Sequence, residues 1–113
     1  MYKDLIVWQK AYDFVLEIYK TTQSFPVEER YSLTSQMRRA ASSIPANIAE
    51  GSMRQSTKEY KRFLLIARGS MAEMEVWLKL AHDLEYMPKA QYIELDRHCE
   101  EIGKLLNGLH RSL

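Results

Sequence analysis

The stretch Met37–Ser56, MRRAASSIPANIAEGSMRQS, decides how the rest of the chain is read. Two adjacent arginines open it, small residues fill it, Pro45 interrupts it and Gly51 closes its apolar part. Starting from Leu33, the residues Met37, Ala40, Ala41, Ile44 and Ile48 nevertheless recur at three and four positions, the spacing of one helix face. The spacing predicts a helix over 33–51, N-capped by Ser32 and ending at the small residue Gly51. Pro45 has no N–H and its ring meets the carbonyl of Ala41, so the helix is expected to kink or loosen around 42–44.

Outward from this helix the pattern repeats on both sides. Upstream, the joint QSFPVEERY carries Pro26, which biases Phe25 away from helical geometry. Before it, Leu5, Trp8, Tyr12, Val15 and Tyr19 form a helical stripe over about 4–22, widened by Ala11, Phe14 and Ile18. Downstream, Ser56-Thr57-Lys58-Glu59 matches a capping box and opens a helix over 57–87. Its seam is Tyr60, Leu64, Ala67, Met71, Met74, Leu78 and Ala81, with a second stripe through Phe63, Ile66, Trp77, Leu80 and Leu84. Pro88 starts a fourth helix over 89–113, in which Tyr92, Leu95, Cys99, Ile102, Leu106, Leu109 and Leu113 keep four-three spacing. No segment alternates as a strand does, so the class is all-α. Short joints make consecutive helices antiparallel, giving a single-domain, up-down-up-down four-helix bundle over residues 1–113.

Composition narrows the function classes. The chain has 113 residues, 46% hydrophobic and 27% charged, with net charge +1. One core is affordable at this length, and a separate catalytic domain is not. The start, MYKDLIVWQKAYDF, is broken by charges and forms neither a signal peptide nor a membrane span, so the expected location is cytoplasmic, with no membrane partner. The single cysteine, Cys99, forms no intrachain disulfide and no cysteine-based zinc site. No cofactor is expected.

Four segments, DLIVWQKAYDF, LTSQMRRAASSIPANIAEGS, EYKRFLLIARGSMAE and EEIGKLLNGLHRSL, together resemble the bacterial four-helix-bundle family named after proteins encoded in intervening sequences of 23S rRNA genes. The resemblance spans nearly the whole chain. It implies a cytoplasmic bundle that assembles into a homopentameric, barrel-like ring. A similar fold serves the accessory protein of diversity-generating retroelements, which partners a reverse transcriptase and binds nucleic acid.

The charges are partitioned along the chain. Arg30, Arg38, Arg39, Arg54, Lys58, Lys61, Arg62 and Arg68 face only Glu50 and Glu59 in the same segment, whereas acidic residues dominate from Glu73 to Glu101. One end of the bundle is therefore expected to be basic and the other acidic. Arg38, Arg39, Arg54, Lys58, Lys61, Arg62 and Arg68 are the candidates for contacts to the phosphates of RNA or DNA, without a base-reading element. The competing reading is a solvated basic end, or one that meets an acidic end of another subunit. For Arg38 the bland reading is a tie between two helices, with Glu73 as the carboxylate near its level. Asn47 and Glu50 are read as hydrogen-bonding residues at the helix end.

Trp8, Phe63 and Trp77, with the doubled stripe of the third helix, offer more apolar surface than a monomeric bundle needs and are the candidate oligomer interface. A second function class follows: a scaffold or accessory subunit for another protein, such as a nucleic-acid enzyme, without direct nucleic-acid binding. Enzyme readings lack their residues. His82, His98 and His110 are preceded at three residues by Lys79, Leu95 and Asn107, not by the glutamates of a di-iron bundle. No arginine is followed five to seven residues later by a histidine, as a helical ribonuclease would require, and no phosphate-cradling glycine loop is present. The third helix is too apolar around its circumference to serve as a recognition helix. The expectation is a non-enzymatic homo-oligomer with no metal site.

Overall fold

Each of the four periodic segments forms a helix in the computed structural model, which describes residues 1–113. Helix α1 runs Ile6–Thr22, α2 Leu33–Ser52, α3 Thr57–Asp83 and α4 Lys89–Ser112, with single 3-10 turns at Tyr2–Asp4 and Val27–Glu29. No strand is present. The helices pack as an up-down-up-down bundle measuring 43 × 25 × 20 Å. Thr22, the start of α2, the end of α3 and the start of α4 share one end. The chain start, the α2–α3 joint and the last turns of α4 share the other.

The core is one cluster to which every helix contributes. The predicted face of α2 is the observed one, with Leu33, Met37, Ala40, Ala41, Ile44 and Ile48 buried; in α4 the middle of the predicted seam, Leu95, Cys99, Ile102 and Leu106, is buried, whereas Tyr92 and Leu109 are half-buried and Leu113 is exposed at the helix end. In α1 the observed face is rotated from the expected stripe. Val7, Ala11, Phe14 and Ile18 are buried, while Tyr12 and Tyr19 are exposed and Trp8 and Val15 lie at the edge. The aromatic residues drew the predicted stripe sideways, because rings that pack flat along a bundle edge keep the helical spacing of a core. Trp8 stacks on Tyr12 at 5.2 Å and meets Tyr2 edge-on at 5.2 Å.

Pro45 is buried inside an unbroken α2, so the expected loosening at 42–44 does not interrupt the helix. The Asn47 side-chain amide donates to the Ser43 carbonyl (2.8 Å) and to Ser43 Oγ (2.9 Å), which itself accepts from Ser70 Oγ of α3 at 2.8 Å. This polar clamp ties the turn that carries Pro45 to α3. Asn47 thus serves within the helix, one turn before the end assigned to it. At Gly51 the reason for glycine is proximity: an added Cβ would lie 2.8 Å from Phe63 Cβ and 3.2 Å from the Tyr60 carbonyl oxygen. The residue lets the α2 and α3 backbones converge at their joint.

Helix α3 starts where predicted. Ser56 Oγ accepts from the Glu59 N–H at 3.1 Å, one half of the capping box. The Glu59 carboxylate turns instead to Arg62. The helix ends at Asp83, four residues before the expected limit, in a Schellman turn. Tyr86 N–H donates to the Ala81 carbonyl and Glu85 N–H to that of His82, both at 2.9 Å, with Glu85 at φ 63°. Leu84, Tyr86 and Met87 extend the apolar spacing past the true end, which hid the turn.

Candidate functional site

The seven basic candidates divide between the two ends. Arg38 and Arg39 lie in the second turn of α2, at the end shared with Thr22, whereas Arg54, Lys58, Lys61 and Arg62 crowd the α2–α3 joint and Arg68 follows three turns into α3. Sixteen residues of sequence separate Arg38 from Arg54, roughly 24 Å along a helix axis. A single ligand contact does not join the two groups within one chain.

Arg38 is committed to packing. Its Nε donates to Thr22 Oγ1 at 2.9 Å and its Nη2 to the Tyr19 carbonyl at 3.2 Å, with the guanidinium 4.5 Å from the Tyr19 ring centroid. It ties α2 to α1, and the expected contact with Glu73 is not made. Arg39 is exposed beside it and forms no ion pair.

At the other end, Arg54 pairs with Glu50 at 2.6 Å and Arg62 with Glu59 at 3.1 Å. Both guanidinium groups also lie over the Phe63 ring, at 4.9 and 4.6 Å from its centroid. The Arg62 guanidinium holds the Glu59 carboxyl below the ordinary carboxylate range. Lys58, Lys61 and Arg68 have no ion-pair partner. At 100° per residue these three fall within about 80° of one another on the outer face of α3. Lys104 and Arg111 of α4 stand at the same end by the antiparallel order.

Of the apolar candidates, Phe63 is taken up by its own chain, 9% exposed beneath the two arginines and against Gly51. Trp8 and Trp77 are half-buried at the bundle edge. The Trp77 indole N–H is buried with no acceptor in the chain. It adjoins a groove of about 370 Å³ whose walls include Leu33, Leu80 and Leu84. The larger exposed apolar surface was less obvious in the sequence. Gly69, Ala72, Val76 and Leu80 continue the Lys58–Arg68 face of α3 into its second half, and Val76 and Leu80 are 59% and 40% exposed. The outer face of α3 carries charged and apolar groups along its whole length: Leu65, 52% exposed, falls between Lys58 and Lys61, and Glu73 and Lys79 flank Val76 and Leu80.

A further cluster was missed. Glu17 of α1 meets Glu94 and His98 of α4, with His98 Nδ1 3.0 Å from Glu17 Oε1. The search for glutamate three residues before histidine passed over Glu94, four residues before His98, although both spacings share one helix face. The α1 partner had no local signal at all.

Comparison with known proteins follows the same division between fold and function. A crystal structure of a protein of unknown function from the S23 ribosomal protein family of Bacteroides thetaiotaomicron superposes with a TM-score of 0.88. It shares 29% sequence identity, covering 98% of this chain and 99% of that one. No curated protein matches the chain. No helix is long and apolar enough to cross a membrane. The model of the 23S rRNA-intervening sequence protein family matches residues 3–108, and the chain belongs to that family.

Proposed function

We propose that the protein is a non-enzymatic homo-oligomer whose basic end binds the phosphate backbone of RNA or DNA. The observation that carries the reading is the trio Lys58, Lys61 and Arg68 on one side of α3, without ion-pair partners, Lys58 and Arg68 exposed and Lys61 half-buried, beside the Arg54–Phe63–Arg62 stack. Cations without internal partners keep their full attraction for phosphate, whereas those already paired gain less. The resemblance to a ring of five adds that each subunit repeats the face, so weak contacts sum through avidity. Arg39 stands at the opposite end and serves a ligand only across subunits.

The test is fluorescence anisotropy of a labelled structured RNA and a matched DNA duplex, at low and physiological salt. Three phosphate contacts per subunit weaken binding by roughly 40-fold between 50 and 200 mM salt, from a slope of about 0.9 per phosphate. Reversing Lys58, Lys61 and Arg68 to glutamate abolishes binding while the oligomer survives. No binding by the wild type at low salt would reject the reading.

The second reading, a scaffold for a protein partner such as a nucleic-acid enzyme, is favoured by the groove beside Trp77, where a buried indole N–H is without an acceptor. It predicts capture that is indifferent to the charge reversal.

A further inference from the structure

The seam between α1 and α4 differs from the rest of the bundle because charged groups close it. Lys10 of α1 pairs with Glu101 of α4 at 2.6 Å, and His98 with Glu17 at 3.0 Å. Between these pairs opens a cleft of about 150 Å³ lined by Lys10, Asp13, Glu17, His98, Glu101 and Ile102. Glu94 stands one turn before His98 and brings a second carboxylate to the same imidazole, so that one donor atom from each of Glu17, Glu94 and His98 lies within 4.8 Å of the others.

A simple ion pair accounts for His98 and Glu17 but leaves Glu94 unexplained. Two carboxylates converging on one imidazole carry more negative charge than that ring balances even when protonated, and like charges held this close repel. The one ammonium lining the cleft, Lys10, is engaged by Glu101, and Glu94 has no ion-pair partner. A divalent cation resolves the imbalance. The donors suit one: metal–nitrogen and metal–oxygen bonds of about 2.0–2.2 Å in a tetrahedral site place neighbouring donors roughly 3.3–3.6 Å apart, within a few tenths of an ångström of what the His98–Glu17 pair offers. His98 Nδ1 and Glu17 Oε1, 3.0 Å apart, need separate only slightly to admit an ion between them. Glu94 and His98 stand on one face of α4, and Glu17 faces them from α1.

We propose that Glu17, Glu94 and His98 form a binding site for a first-row divalent transition ion, with Zn²⁺ the best match to one imidazole and two carboxylates. Imidazole selects against Mg²⁺ and Ca²⁺, which favour oxygen alone. Three protein ligands leave coordination positions facing the cleft, where water fits beside Asp13. Cys99, next to His98, is turned into the core and is not a ligand. The site clips the seam between the first and last helices and does not depend on nucleic-acid binding.

The experiment is isothermal titration of the chelator-treated full chain with Zn²⁺, together with thermal unfolding with and without the ion. The wild type binds one Zn²⁺ per chain and gains thermal stability. Loss of a ligand in Glu94→Gln or His98→Ala weakens binding by at least roughly 10–100-fold, the range set even by loss of an outer-shell partner. Glu94 is exposed, so its variant folds as the wild type does, which circular dichroism checks. Co²⁺ substitution gives a visible absorption band in the wild type that both variants lose. Absence of saturable binding overturns the proposal, and so does binding undiminished in both variants, which assigns the ion to other side chains.

Discussion

Gly51 sets how closely α2 and α3 approach, and two opposed effects meet there. Alanine in a helix gains about 1 kcal/mol over glycine from backbone entropy. Against this, the new methyl lies 2.8 Å from Phe63 Cβ and 3.2 Å from a backbone oxygen, atoms that move only if the helices separate. Overpacking of this kind costs about 1–3 kcal/mol, so Gly51→Ala is expected to lower stability by a net of up to ~2 kcal/mol in urea unfolding. Gly103 has no atom within 4 Å of an added Cβ, and Gly103→Ala is expected to stabilise by up to about 1 kcal/mol. Opposite signs at two helical glycines check the cause. In the sequence Gly51 is legible as a helix end, which it is within one residue. Its contact with Phe63 depends on interhelical register, and no local pattern encodes that.

At the scale of elements, α2 is begun by a carboxylate from the preceding turn. The Ser32 hydroxyl that the sequence nominates as a cap donates instead to Glu29, and Glu29 Oε1 accepts from the Leu33 N–H at 3.3 Å. Its second oxygen accepts from the Tyr86 hydroxyl at 2.8 Å, joining the α1–α2 and α3–α4 connections. The Ser32 hydroxyl, then Tyr86 and the Leu33 N–H, hold the Glu29 carboxyl below its ordinary range. A depressed carboxylate pKa contributes stability above the unfolded value of about 4.3, and the contribution disappears as pH falls through the lower folded value. Tyr86→Phe keeps the ring against Phe25, 5.3 Å away, and removes only the hydroxyl. The variant is expected to lose urea midpoint relative to wild type at pH 7, with the difference shrinking toward pH 3. A difference that is constant with pH would assign Tyr86 a packing role alone.

The same scale explains which elements could be read. Helices α2 and α4 bury narrow faces of small and aliphatic residues, so spacing and burial coincide along α2 and through the middle of α4. Helix α1 carries three aromatic residues whose rings satisfy the same spacing from the bundle edge, and α3 runs into apolar residues beyond its end. The basic candidates were legible as a list but not as a site. Arg38 bonds to α1, Arg54 and Arg62 find carboxylates one turn away, and only the fold separates these from Lys58, Lys61 and Arg68. Glu17, Glu94 and His98 lie on helices at opposite ends of the sequence, and their meeting follows from α1–α4 closure alone.

For the whole molecule, the exposed apolar positions of α3 are where the proposed assembly is expected to form. Gly69, Ala72, Val76 and Leu80 form an exposed apolar strip flanked by Glu73 and Lys79. Burial of such a strip contributes about 25 cal/mol per Å² of apolar area, and small residues let two backbones approach closely. Lys58, Lys61 and Arg68, on the same side of α3, resist contact with their own copies and are expected to stay open. If subunits meet on this strip, Lys58, Lys61 and Arg68 are expected to gather at one rim of the assembly uncovered, which would couple assembly to the proposed phosphate binding. Val76→Arg places a charge in the strip at a position 59% exposed in the single chain, where it does not disturb the core. The expected result by light scattering is a folded 13.3 kDa monomer in place of an oligomer with five times that mass. Because avidity is lost with assembly, the same variant is expected to bind RNA more weakly by roughly 10²-fold or more, although its basic residues are intact. If Val76→Arg leaves the mass unchanged, the apolar strip of α3 is not the interface.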